Sequence, residues 1–510
     1  MSMALDREFD MTTWHRLTAA LLAATAFTVF ATAPVQAQAR RDALVLGMVL
    51  EPPVLGPDLN SAAAISEVTH YNLFEGLTKI REDGSVVPLL AASWTASSDL
   101  KTWTFKLKPG VKFHDGTAFD SADVKFTYER YGSEKSVNKA KTVFTNMEKV
   151  EAPDPATVII TLKQPNPLFL FALGENTAII QAPESVDSNG TKPIGTGPWK
   201  FDRWVRGDSV TLVKAETYRE PAAVRLNRVT FKFINDPNAA ITSLLAGDVD
   251  FFPQFNSLEA VDQFRKDARF NVSQGTTEGD TILAMNNKKA PLNDVRVRRA
   301  ISHALDRAAI IEGAMSGFGT AIGTHFPPHN PAYVDLTGLY RHDVAAAKKL
   351  LAEAGFPNGL ELTLKLPPPP YARRSGEIIA AQLAQVGIRA KIENMEFAQW
   401  LERVFRAKDF DLSIISHVEP NDLQRIYRDP NYYFGYDNAD FNAIVDKLNV
   451  TLDEGERVKL LQAAQRKVAE DAVNGFLFNL PRVTIAKKGL AGFWKSAPIF
   501  ANDLTGMRWE

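Results

Sequence analysis

The sequence predicts an α/β protein with an α+β block inside its N-terminal half, and three observations carry that reading. A β-α-β-α-β order is legible between Leu360 and Ile415. Two amphipathic helical stripes precede it, and short alternating strands with hairpin-type turns dominate the stretch before Val205. The 510 residues allow about three structural units at roughly 150 residues each.

The first element stands outside the fold. Ala19 to Phe30 is an uncharged apolar run of 12 residues, preceded by His15 and Arg16 and followed by Ala33-Pro34-Val35-Gln36-Ala37-Gln38-Ala39. A basic flank, a short apolar core and an Ala-x-Ala ending make 1–39 a secretory signal peptide, cleaved near Ala37 or Ala39. The run falls short of the roughly 20 residues that cross a bilayer. Either Met1 or Met11 serves as the start, since Asp6 to Asp10 is an odd acidic lead for a signal.

Composition then excludes several classes. With 58 Lys+Arg against 60 Asp+Glu, nothing favours a nucleic-acid or anionic-membrane partner. The absence of cysteine removes disulfides, thiolate metal sites, cysteine nucleophiles and a lipid anchor. An exported chain with no anchor is retained where an outer membrane encloses a periplasm. The expected product is therefore periplasmic and not a lipoprotein, with no membrane insertion, and monomeric.

Trp103, Phe105 and Leu107 alternate as a strand before the Lys108-Pro109-Gly110 turn, after which Val111 to Phe113 is expected to return as its partner. His114-Asp115-Gly116 is a second turn, and Asp120-Ser121 caps a helix through Val124 and Tyr128. Val158 to Leu162 is a further strand, and Gly195-Thr196-Gly197-Pro198 leads into Trp199, Phe201 and Val205. Farther on, Val297, Ala300, Ile301, Ala304, Ala308 and Ile311 form one helical stripe after Asn293-Asp294. Val344, Ala347, Leu350 and Leu351 form another behind Asp343 as N-cap, with Gly355 as the stop. Leu360, Leu362, Leu364 and Leu366 alternate as a strand, Ile378 to Val386 runs at helical spacing, and Gly387 sits at a left-handed C-cap position. Ile388 to Ile392 is the second strand, Phe397 to Phe405 a helix, and Phe410 to Ile415 the third strand. This order implies parallel pairing through right-handed crossovers.

Several stretches carry a resemblance. Leu90 to Trp94, Trp103 to Gly116 and Ser121 to Phe126 together resemble the signature of the family 5 extracellular solute-binding proteins, the peptide-, nickel- and opine-type receptors of ABC importers. Pro193 to Trp199, Asn286 to Ala300 and Lys348 to Gly355 resemble further segments of that family, in the same order. The resemblance implies a class II periplasmic-binding-protein fold with two lobes, a hinge and an extra domain inserted in the N-terminal lobe. Lobe I is expected at 40–83, 194–275 and 480–510, the inserted domain at 84–193 and lobe II at 276–479. It implies capture of a short peptide or peptide-like solute between the lobes and delivery to an inner-membrane ABC permease. An opine, an amino-acid conjugate or a sugar-derived solute is the alternative.

In open α/β sheets ligands sit beyond the C-terminal strand ends, which points to Pro367–Tyr371 and Ser416–Glu419. The resemblance places Glu419 where peptide receptors hold the ligand's amino group and Asp422 on a second acidic position, for which loop stabilisation is the competing role. Ser416 and His417 stand where those receptors carry Trp and Thr, and Val418 lies between His417 and Glu419. Dipeptide receptors place an Arg for the ligand carboxylate after the first of these strands, where this chain has Leu366 or a proline. Arg373 and Arg374 are nearby but fit a helix surface. Tyr371, Trp400, Tyr432, Tyr433 and Phe434 are candidate pocket walls, with core packing as the alternative. Glu51 to Leu55 and Phe255 match cleft-lining segments, and Pro367 to Pro370 is expected as a stiff polyproline rim.

Enzymatic readings find little support. His325-x-x-x-His329 has the spacing of helical metal ligands, but Pro327 and Pro328 forbid the helix. Gly195-Thr196-Gly197 is followed by proline and a strand, not by the helix of a dinucleotide fingerprint. No phosphate-binding loop and no Gly-x-Ser-x-Gly elbow occur. No cofactor, metal or catalytic residue is expected, and an exported hydrolase is the alternative from another class.

Overall fold

The structure, a computed structural model, describes residues 42–60, 62–451 and 453–510. The signal-peptide reading of 1–39 lies outside them. Among the described residues no helix is long and apolar enough to cross a membrane.

One large mixed sheet organises the chain. From one edge to the other its strands are Ile388–Asn394, Leu360–Leu366, Leu412–His417, Phe270–Met285, Asn474–Lys487, Phe251–Phe252, Ala43–Met48, Arg228–Phe233, Ser209–Lys214 and Trp199–Val205. Thr320–Ala321 pairs with Asn474–Lys487 off this path. Leu360–Leu366 lies parallel to both Ile388–Asn394 and Leu412–His417, as the β-α-β-α-β order requires. Helix Pro370–Gln385 crosses between the first two and buries Ala372, Ile379 and Leu383 on the sheet. Helices Val295–Ala304 and Val344–Glu353 begin at Asp294 and Asp343, whose carboxylates accept backbone N–H bonds as N-caps. Together with Leu283, Leu362, Leu364 and Ile414 these helices form one hydrophobic cluster.

Two sequence expectations change here. Pro367–Pro370 is not a free polyproline rim, because Pro370 opens the helix. Its fixed φ suits a first helical turn, where a missing N–H costs nothing. The Phe397 helix is only four residues long before the winding loosens over Leu401–Arg406.

The α+β block has its own sheet, in the order Ala91–Ala96, Thr102–Leu107, Thr157–Leu162, Met147–Asp154, all antiparallel. Helix Ser121–Gly132 starts in a full capping box between Asp120 and Asp123. Phe105, Phe113, Tyr128 and Ile160 belong to its separate core. Val111–Phe113 does not return along Trp103–Leu107. Instead Lys112 bridges Ala118 around the His114–Gly116 turn, while Val111 and Phe113 sink into the core. Gly195 and Gly197 serve close packing, since a Cβ there would lie 2.1 Å from the Leu73 carbonyl oxygen and 2.3 Å from that of Asn72.

Two long strands, Phe270–Met285 and Asn474–Lys487, run through both halves of the sheet as an antiparallel pair. Their register breaks between Thr276 and Asp280. On one side of the break they join Phe251–Phe252, on the other Leu412–His417. The candidate site is built beside this break, where Thr277 Oγ1 donates to the Leu480 carbonyl and Glu278 meets His329.

Candidate functional site

The site begins where strand Leu412–His417 ends. Its root is fixed from behind: Ser413 Oγ donates to the Lys365 carbonyl and accepts from Trp400 Nε1, and the Ser416 N–H donates to the Tyr371 hydroxyl at 3.1 Å. The chain then leaves the sheet through exposed Val418 and Glu419 and returns to a buried carboxylate at Asp422, just after Asn421 in the left-handed region. His325 Nε2 lies 2.9 Å from Asp422 Oδ1, and His417 Nδ1 lies 3.5 Å from Oδ2. The far nitrogens are held as well, His325 Nδ1 by the Tyr427 hydroxyl and His417 Nε2 by the Tyr433 hydroxyl, each at 3.2 Å.

Charge in this cluster is divided unequally. Burial works against a protonated His325, but the Asp422 carboxylate outweighs it and raises its pKa. Burial lowers His417 below the ordinary imidazole value, so it is neutral where His325 is charged. Burial pushes Asp422 upward, yet the two imidazoles hold it well below the usual carboxylate range.

Across the register break, Glu278 Oε1 meets His329 Nε2 at 2.9 Å, and Asp280 accepts from Asn479 Nδ2 at 2.8 Å. Burial raises both carboxyls well above their usual range. Burial also pulls His329 down to about 4, so Glu278 and His329 form a neutral pair. From the α+β block comes half-buried Glu175, pushed up to about 7 by burial, with Lys139 opposing and the Glu419 charge adding to the rise. The Glu419 charge thus reaches Glu175 from a distant part of the chain.

The sequence-derived residues separate into two groups. Ser416, His417, Val418 and Glu419 sit together where the strand ends and the loop begins, and among the described residues the Ser416 Oγ has no hydrogen-bond partner. Tyr371 and Tyr433 act behind it, Tyr371 through the Ser416 backbone and Tyr433 through His417. Tyr433 is 2% exposed, so its ring is core and only its hydroxyl reaches the loop. Three expectations are corrected. Trp400 is 3% exposed and packs on Phe397, Phe405 and Tyr433, because its apolar ring finds a ready core there. Phe255 is buried among Phe252 and Phe264. Glu51 accepts from Trp204 Nε1 and the Gly207 N–H, which ties its carboxylate to a neighbouring hairpin.

Sequence reasoning missed Glu175, Glu278 and Asp280 and underrated His325. The break in the long strand is invisible to hydrophobic periodicity, although the polar run Thr276-Thr277-Glu278-Gly279-Asp280 ahead of the apolar Ile282–Met285 end is a signal.

Comparisons with known proteins bear on this arrangement. Residues 85–440 match the family described as bacterial extracellular solute-binding proteins, family 5, middle region. The chain is 28% identical over 451 residues to the glutathione-binding protein GsiB of Escherichia coli (strain K12), covering 84% of this chain and 88% of that one. The structure of AgaA from A. tumefacien R10 in complex with agropinic acid is 28% identical, with a TM-score of 0.70 and coverage of 92% and 99%. The unliganded open form of the periplasmic murein tripeptide-binding protein MppA, at 23% identity, shares the fold with a TM-score of 0.84 and coverage of 92% and 97%.

Proposed function

The chain belongs to the family 5 bacterial extracellular solute-binding proteins, a family of binding proteins rather than enzymes, and from that premise we propose that it captures a short peptide or peptide-like solute through a cationic amino group. The observation that carries this reading is the pair of acids Glu419 and Glu175. Glu419 stands exposed on the loop, and its charge helps raise Glu175 of the α+β block. A carboxyl group whose ionisation is disfavoured by a second negative charge gains from a cation placed beside it. Exposed Arg425, whose charge reaches His417, is the candidate partner for a ligand carboxylate. The relatives support the class: one is named for glutathione and another for a murein tripeptide.

The proposal extends to the architecture and the partners. Lobe I comprises 40–83, 194–275 and 480–510, lobe II 276–479, and 84–193 is the inserted domain, with closure about the register break. The receptor is monomeric, works in the periplasm after export, and hands its solute to an ABC permease. A second reading, an opine or amino-acid conjugate, is favoured by buried Leu366 where dipeptide receptors resemble one another in carrying Arg. It is supported by the agropinic acid complex of AgaA. Mass spectrometry of the solute released from purified protein, followed by calorimetric titration with that solute, tests both. A bound primary amine supports the leading reading, and a solute with no cationic group overturns it.

A further inference from the structure

We propose that His325, His417 and Asp422 bind a divalent metal ion of the zinc class that clamps the Glu419 loop to the loop carrying His325. The geometry is built from parts 97 residues apart in sequence. One nitrogen of each imidazole and one Asp422 carboxylate oxygen lie within 4.8 Å of one another. His325 Nε2 is 2.9 Å from one carboxylate oxygen and His417 Nδ1 is 3.5 Å from the other. The second distance is too long for a sound hydrogen bond, and among the described residues the buried Asp422 Oδ2 has no hydrogen-bond partner. A buried carboxylate oxygen left unpaired is costly, and an ion seated between the three groups satisfies it.

The surroundings match what metal sites need. A ligating histidine generally has its other ring nitrogen held by a fixed partner, which sets tautomer and ring angle. Here Tyr427 and Tyr433 hold those far nitrogens, and Asn474 Nδ2 in turn donates to the Tyr427 hydroxyl at 3.1 Å. Two imidazoles and a carboxylate suit zinc and its first-row neighbours, which accept nitrogen and oxygen donors. Three protein ligands leave a fourth position for water. The site departs from the expectation of no metal drawn from the sequence. His329 is engaged instead by Glu278 and Thr276.

The test uses the untagged full chain, stripped with EDTA and titrated with zinc chloride by calorimetry. The expected result is one ion per chain with Kd below about 10 µM, and cobalt(II) should give the visible absorption of a tetrahedral site. His417→Ala and His325→Ala should each weaken zinc at least about tenfold and abolish the cobalt spectrum, whereas His303→Ala should leave both unchanged. If His325→Ala fails to fold, His417→Ala alone decides. Zinc binding absent from the wild type, or wild-type affinity in His417→Ala, overturns the proposal. So does an equal loss in His303→Ala, which marks surface binding.

Discussion

Replacing Glu419 with Gln keeps the side-chain shape and removes the charge, so it isolates what the carboxylate does for the solute. Glu419 is exposed, and a surface change of this kind shifts stability by no more than about 0.5 kcal/mol. A charge-assisted hydrogen bond to a ligand ammonium is worth about 1.5–3 kcal/mol, or roughly 10- to 150-fold in Kd. The structure adds a second readout. Burial holds Glu175 at about 7, with Lys139 pulling it down and Glu419 pushing it up. Without the Glu419 charge, Glu175 titrates lower. The sign follows from the raised value: the stability linked to protonated Glu175 is complete below its ordinary 4.5 and is lost as pH rises through about 7. A cationic solute gains from ionised Glu175, so wild-type affinity should climb as pH rises through about 7. In Glu419→Gln that climb should move to lower pH. Calorimetric titration with the copurified solute across this range measures both effects. Wild-type affinity with an unmoved pH profile, for a solute carrying an ammonium group, would refute the reasoning, and a fall in melting temperature like that of a core mutant would make Glu419 structural.

Three further outcomes follow from the packing and topology. Trp400→Ala should cost about 3–5 kcal/mol in urea denaturation and change solute Kd by no more than about twofold. A large affinity loss at unchanged stability would return Trp400 to the pocket wall. Gly197→Ala drives a Cβ to 2.3 Å from the Asn72 carbonyl, so its melting temperature should fall clearly, corresponding to about 1–3 kcal/mol of overpacking. An unchanged melting temperature would show that Asn72 yields. Saturating solute should reduce the radius of gyration in small-angle scattering as the halves close about the break between Thr276 and Asp280. An identical profile with and without solute counts against closure.

How far the sequence foretold this arrangement depends on the range over which each feature is encoded. The parallel unit from Leu360 to Ile415 was legible because alternation, helical spacing and the left-handed Gly387 are local signals that all agree. The Asp120, Asp294 and Asp343 caps were legible for the same reason. The pairing of Val111–Phe113 was misread because a Pro-Gly turn announces a reversal without naming the partner strand. Trp103–Leu107 took its partners from Ala91–Ala96 and Thr157–Leu162 instead. At the site, the loop Ser416–Glu419 follows from a strand end, which sequence can locate. Whether an aromatic ring near that loop faces core or cleft cannot be read locally, because Trp400 and Tyr433 satisfy the same spacing in either role. The juxtapositions that set the chemistry are longer in range still. Asp422 meets His325 across 97 residues, and Glu175 feels Glu419 from a separately folded block. In both cases a polar group sits in a loop whose neighbours come from elsewhere in the chain. A local signal does exist nearby, the polar run from Thr276 to Asp280, where the register of the long strand pair breaks.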